Sequence, residues 1–203
     1  MKKAVIFFAI FMLLLAGCVS SKASDSGAVI VDATSANLWE GFEQRPFWFA
    51  VGNSWNDNDS SVEAKWNKEQ VTEGKASLEC EFKMNGLNGA TFHTEEPVDN
   101  DWSGKKSLVV DFINTTDRDI EVALALSTGA DWTWFESPTV ILTPGENRDI
   151  YFSLSSGGFK CAASDWQYTA QVENLNSIRR VAFKFFADAG LEGSVIIDNL
   201  RLE

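Results

Sequence analysis

The chain has 203 residues, 17 basic and 29 acidic, a formal net charge of −12 and 45% hydrophobic residues. That is enough apolar material to form one stable core without staples, and an acidic surface repels phosphate backbones, so nucleic acid is excluded as an expected partner and acidic polysaccharides are disfavoured. A zinc site or a Ser-His-Asp triad would have to be built around the single histidine, His93, so neither is expected.

The N-terminus opens with Met1-Lys2-Lys3, continues in an apolar run from Ala4 to Ala16, and stops at Leu15-Ala16-Gly17-Cys18. A basic start, a short apolar middle and a small-residue exit describe a secretory signal, and the run is shorter than the ~20 residues that span a bilayer. The tetrapeptide resembles the lipobox of bacterial lipoproteins. The resemblance implies that residues 1–17 are removed and that Cys18 becomes the acylated, palmitate-bearing first residue. The mature chain of 186 residues, with net charge −14 once Lys2 and Lys3 are gone, would then be lipid-anchored to an extracytoplasmic membrane face. Several acyl chains hold a protein stably where one does so only marginally. Val19 to about Ser26 has no apolar period and reads as a short tether within 18–27. The folded domain is expected over 28–203.

From Ala28 onward short alternating stretches follow one another. Ala76–Met84 places Leu78, Cys80, Phe82 and Met84 on one face; Ser107–Ile113 places Leu108, Val110 and Phe112 together; Asp119–Ser127 aligns Ile120, Val122, Leu124 and Leu126. Asp149–Leu154 gives Ile150, Phe152 and Leu154, Arg179–Phe186 gives Val181, Phe183 and Phe185, and Ser194–Leu202 closes the chain with another apolar run. Period-two alternation marks half-buried strands. Between them lie Asn85-Gly86, Asn88-Gly89, Pro144-Gly145 and Ala189-Gly190, which is turn chemistry. No stretch keeps a helical period, and only 172–178 has room for a helical turn. About ten short strands in one domain predict an all-β sandwich or jelly roll of two antiparallel sheets. Cys80 points into the predicted core and Cys161 follows a Ser/Gly-rich loop. They are either independent thiols or a bridge of an exported protein.

Eight tryptophans are more than such a sandwich needs inside. Trp39 and Trp102 read as packing, whereas Trp48, Trp55 and Trp166 fall in loop-like stretches able to border a cleft. In Ala130-Asp-Trp-Thr-Trp-Phe-Glu136, a strand would send Trp132 and Trp134 to one face, roughly 7 Å apart, and Phe135 to the core. Two such indoles either pack under a loop or make an exposed platform. A platform covers the C–H face of a sugar ring while Asp131 or Glu136 meets its hydroxyl edge. A glycosidase needs two facing carboxylates with one pKa raised. Glu136 is the best single candidate and has no evident partner.

Four segments occur in the order of a known family: Phe42-Glu43, Val71-Thr-Glu-Gly-Lys-Ala-Ser-Leu78, the Trp-Thr-Trp segment, and Val195-Ile-Ile-Asp-Asn-Leu200. Together they resemble the β-jelly-roll carbohydrate-binding modules (galactose-binding-like sandwiches) appended to bacterial endoglucanases, xylanases and mannanases, over about Ala28 to Glu203. The resemblance implies a ligand face on the concave sheet. Trp132 and Trp134 would stack sugars there, and Arg180, Lys184 and Asp111 would make polar contacts on the same sheet. It also implies a structural calcium ion near Glu43, Glu73, Lys75 and Asp198, tying the two chain ends together. The leading expectation is a non-catalytic, monomeric lipoprotein that captures a neutral polysaccharide, of β-glucan or β-mannan type, at a bacterial membrane or cell surface. The alternatives are a small jelly-roll glycoside hydrolase and a structural envelope lipoprotein using the sandwich for protein–protein contact.

Overall fold

The computed structural model describes residues 37–44, 48–51, 61–85 and 89–203. Cys18, its tether and Trp55 lie outside them. Among the described residues the chain forms twelve strands and one 3₁₀ turn (Ala162–Ser164). The strands are β1 (Leu38–Glu40), β2 (Phe49–Val51), β3 (Ser61–Asn67), β4 (Ser77–Lys83), β5 (Ala90–Glu95), β6 (Ser107–Asn114), β7 (Ile120–Thr128), β8 (Thr133–Glu136), β9 (Val140–Leu142), β10 (Gly145–Ser153), β11 (Ile178–Phe186) and β12 (Glu192–Leu202). The single helical turn expected over 172–178 is not there. Asn174 takes a left-handed conformation and its carbonyl accepts the Ser177 N–H, making a tight turn in place of a helix.

Two antiparallel sheets result. Sheet I runs β10-β6-β12-β4-β3, with β1 also paired to β12; sheet II runs β2-β5-β11-β7-β8, with β9 also paired to β7. This is the all-β sandwich that the alternation predicts. The alternating sets meet between the sheets: Leu78, Cys80 and Phe82 of β4, and Val110 and Phe112 of β6, face Leu124 and Leu126 of β7 and Phe183 and Phe185 of β11. Phe112 meets Phe183 edge-on at 5.3 Å, and Trp48 stacks on Phe183 at 5.7 Å. Trp48 therefore packs inward, only 6% exposed, while its edge lines a cleft together with Trp39 and Glu95. Trp102 is fully buried, with Trp39 edge-on against it, as expected of both. Cys80 and Cys161 are both buried free thiols.

Candidate functional site

The outer face of sheet II is built by the residues that alternate with the core. On β11 these are Arg180, Ala182, Lys184 and Phe186. On β7, by register, they are Ser127, Ala125, Ala123 and Glu121. On β8, Glu136 stands opposite Ala125 and Trp134 opposite Ser127, while Phe135 turns inward beside Leu126. The small β7 residues form a floor. Longer side chains from β11 and β8 close over it, so Ala123, Ala125 and Ser127 are buried.

Those longer side chains meet in pairs. The Arg180 guanidinium lies 5.5 Å from the Trp132 ring, and the Lys184 ammonium 6.0 Å from the Trp134 ring. Lys184 also donates to Glu136 Oε2 at 2.8 Å, Lys160 to Oε1 at 2.8 Å, and the Trp134 indole N–H to Oε2 at 3.3 Å. Arg180 pairs with Glu95 of β5, whose carboxylate is 3.4 Å from His93. Burial pushes the Glu136 carboxyl up, but the hydrogen bonds from Lys160 and Lys184 outweigh it and hold the group below the usual carboxylate range. It is a fixed anion.

Trp132 reaches this face by a route that alternation does not describe. It precedes β8 in a turn, with φ of +54° and its N–H on the Gly129 carbonyl. The indole is 37% exposed. Arg180, not strand geometry, ties it to the same face as Trp134.

Sequence reasoning named Trp166 on one further edge of the face, but missed Tyr168 and the bridges that build that edge. Beyond β8, Lys160 exchanges both backbone hydrogen bonds with Glu136, and Phe159 exchanges both with Ala170, so the 158–170 loop is stitched on as an extension of the sheet. Consecutive left-handed residues, Asp165 and Trp166, reverse the chain within it. Trp166 is left exposed and Tyr168 sits with its ring 5.2 Å from the Lys160 ammonium. The only sequence signal was the pair of aromatics in a stretch without period. Tyr168, Lys160, Glu136, Phe186 and Ile141 line a cleft of about 700 Å³ at this end of the face.

Of the residues expected to contact ligand, the structure brings Trp132, Trp134, Arg180 and Lys184 together. Asp111 is not with them. It lies on β6 in sheet I, where it accepts from Arg148, Asn199 and the Asp149 N–H. Its alternation gave the face of its strand correctly but could not give the sheet.

The residues expected around calcium do gather at the 72–76 turn, in altered roles. Glu43 Oε1 accepts the N–H groups of Lys75 (2.5 Å) and Ala76 (3.1 Å), so this carboxylate caps the turn. Asp198 Oδ2 accepts the N–H groups of Thr72 and Glu73. Burial raises the carboxyl pKa of both Asp198 and Glu40, and Asp198's charge raises that of Glu40 further. Glu73's carboxylate lies over Gly41, close enough that a Cβ there would sit 2.7 Å from it. Asp198 and Glu40 thus form a like-charged pair, to which a cation would be the natural counter-charge. It would rely on main-chain carbonyls as well, because among the described residues no three His, Cys, Asp or Glu side chains form a metal-holding group.

The two-sheet jelly-roll sandwich is the fold of β-sandwich carbohydrate-binding modules. Residues 47–199 match the family described as "Mannanase, galactose-binding domain-like", and the chain belongs to that family. No curated protein matches it in sequence. The Family 11 carbohydrate-binding module from Clostridium thermocellum, solved with a β-1,3-1,4-mixed-linked tetrasaccharide, superposes with a TM-score of 0.58 at 15% identity, over 82% of this chain and 94% of that one. The Family 11 module of the cellulosomal cellulase Lic26A-Cel5E of Clostridium thermocellum gives 0.57 at 16% identity, over 81% and 92%. An exo-β-agarase gives 0.59 at 15% identity, over 83% of this chain but 25% of the enzyme. At these identities the likeness is one of fold.

Proposed function

We propose that this protein is a non-catalytic carbohydrate-binding module that holds a neutral polysaccharide, of the β-glucan or β-mannan class, on the outer face of sheet II. The observation that carries the reading is the pair Trp132 and Trp134 on that face, each beside a β11 cation, with the Glu136 carboxylate next to them. Indole faces cover sugar C–H groups without stripping water from the hydroxyls. Arg180 and Lys184 donate to hydroxyl oxygens, and Glu136 and Glu95 accept from hydroxyl protons. Family membership and the sugar-bound structural neighbour support the ligand class.

Glu136 is not poised to act as the general acid of a hydrolase. A general acid needs a raised pKa, and two ammonium groups hold this carboxyl low. Affinity electrophoresis against soluble β-glucans and β-mannans, with reducing-end release measured on the same panel, tests both halves. Retardation without release is expected. Release of sugar ends would overturn the non-catalytic reading, and folded protein unretarded by every neutral glycan would overturn the binding one.

Two accessory features complete the proposal. Acylation at Cys18 would hold the module at an extracytoplasmic membrane face, and mass spectrometry of the membrane-extracted protein tests it. Calcium would be held by Asp198 and Glu40, with Glu43 confined to capping the turn. The ion's contribution would be to neutralise the like charges of buried Asp198 and part-buried Glu40. Added calcium should then raise the melting temperature and a chelator lower it, with no response in Asp198→Asn. A wild-type melting temperature indifferent to both would remove the ion.

A further inference from the structure

We infer that the ligand face carries a second stacking subsite, built on Tyr168 and Phe186 with Glu136 as its hydroxyl reader, so that the module grips an extended stretch of neutral polysaccharide and not a lone terminal sugar. The inference rests on the sugar-binding reading above and adds where the rest of the chain lies.

Three observations carry it. The first is placement. Arg180, beside Trp132, and Phe186, beside the Tyr168 cleft, are six residues apart on the same face of β11. At 3.3 Å per residue that separates the two ends by ~20 Å, a length for several sugar rings laid end to end.

The second is the chemistry between the ends. Glu136 accepts from Lys160, Lys184 and the Trp134 indole. That uses three of its roughly four acceptor sites and leaves one. Each ammonium has three donors and gives one to Glu136. Lys184 also lies 5.2 Å from the Phe186 ring, and Lys160 the same distance from Tyr168. The cluster therefore presents a fixed acceptor flanked by fixed donors between two rings. Neighbouring sugar hydroxyls, each both donor and acceptor, match that arrangement. An anionic sugar does not, because Asp119, Glu121 and Asp188 also line the cleft and only Arg118 adds to the lysines.

The third is order. Tyr168 is 45% exposed, yet it sits on a loop held to the sheet edge by the Phe159–Ala170 and Lys160–Glu136 bridges. An exposed ring on a pre-ordered backbone loses little entropy on binding.

The test is calorimetry on the full chain with cello- and manno-oligosaccharides, from disaccharide to hexasaccharide, and with soluble glucomannan. Wild type should bind more tightly as length grows. Tyr168→Ala should weaken hexasaccharide binding about tenfold, the worth of one good ring contact, and leave disaccharide binding unchanged. Tyr168→Phe should keep wild-type affinity, and Glu136→Gln should weaken the hexasaccharide. If Tyr168→Ala equals wild type on the hexasaccharide while Trp132→Ala/Trp134→Ala has lost binding, the second subsite is wrong and the module reading stands. If wild type binds none of these ligands, both fail.

Discussion

Asp111 gives the sharpest test of how the two sheets divide structure from binding. It is 2% exposed and sits between two irregularities. On one side Arg148 and Asp149 of β10 together oppose it, because the register steps from Asn147–Phe112 to Ile150–Val110. On the other, β12 bulges between Asp198 and Arg201. Both bulges contain a left-handed residue, Asp149 (φ +55°) and Asn199 (φ +53°), and Asp111 accepts from each: the Asp149 N–H at 2.9 Å and the Asn199 side chain at 3.1 Å. Arg148 at 3.1 Å and Arg201 at 3.5 Å add charge. Burial raises the Asp111 carboxyl, but these donors outweigh it and hold it below its usual range. Asp111→Ala strands the Asp149 N–H and leaves Arg201, whose side chain is 16% exposed, without one of its partners. Removing one member of a buried ion pair costs about 3–5 kcal/mol. Arg148 is 41% exposed and rehydrates, and Arg201 keeps Asp149, so the lower end, about 3 kcal/mol, is expected. Asp111→Asn keeps one acceptor oxygen and should cost less. Urea unfolding reads this as a lower midpoint at unchanged slope. Glycan affinity should not move, since Asp111 is on the other sheet. An Asp111→Ala variant as stable as wild type but unable to bind glycan would refute the reasoning and return Asp111 to the ligand site.

Two further outcomes follow from single residues. Burial, helped by the Arg180 charge, lowers the His93 pKa to about 4 in the folded chain. Its ordinary value is near 6.5, so as pH falls from about 6.5 to 4 the unfolded chain takes up a proton that the folded chain does not. Stability should decline across that window by about 3 kcal/mol, and His93→Gln should flatten this part of the profile; an identical profile in the variant would contradict the assignment. Gly74 has φ of +62° and its added Cβ would lie 2.1 Å from Glu43 Oε1, whereas Gly104, at φ +76°, has nothing within 4 Å. Gly104→Ala should lose only the left-handed penalty of about 1–2 kcal/mol. Gly74→Ala should lower the melting temperature further by dislodging the Glu43 cap. Equal shifts in the two variants would show that the cap contributes nothing.

What was legible in the sequence was local. Alternation in β4, β6, β7 and β11 separated the face turned to the other sheet from the face turned away from it, residue by residue, because successive side chains of a strand point to opposite sides. Arg180 and Lys184 were placed outward for that reason, and Phe135 inward. Strand order is set by contacts far apart in sequence, and no local period reports it; hence Asp111 was assigned to the wrong sheet. Trp132 shows a second limit. Its left-handed backbone breaks the alternation that was used to pair it with Trp134, and the two rings share a face through Arg180 and Lys184 instead. Tyr168 shows a third. Its position depends on Phe159 and Ala170 bridging at a sheet edge, and neither residue type signals that. β3 and β5 also carried readable alternation, Val62-Ala64-Trp66 and Ala90-Phe92-Thr94.

The central claim is that the outer face of sheet II binds neutral glycan through Trp132 and Trp134. Calorimetric titration of soluble glucomannan and mixed-linkage β-glucan into wild type and into Trp132→Ala/Trp134→Ala tests it most directly, with unfolding midpoints measured on both. The account predicts saturable binding by wild type, and its loss in the double variant at little change in stability. Undiminished binding by the folded double variant would contradict it.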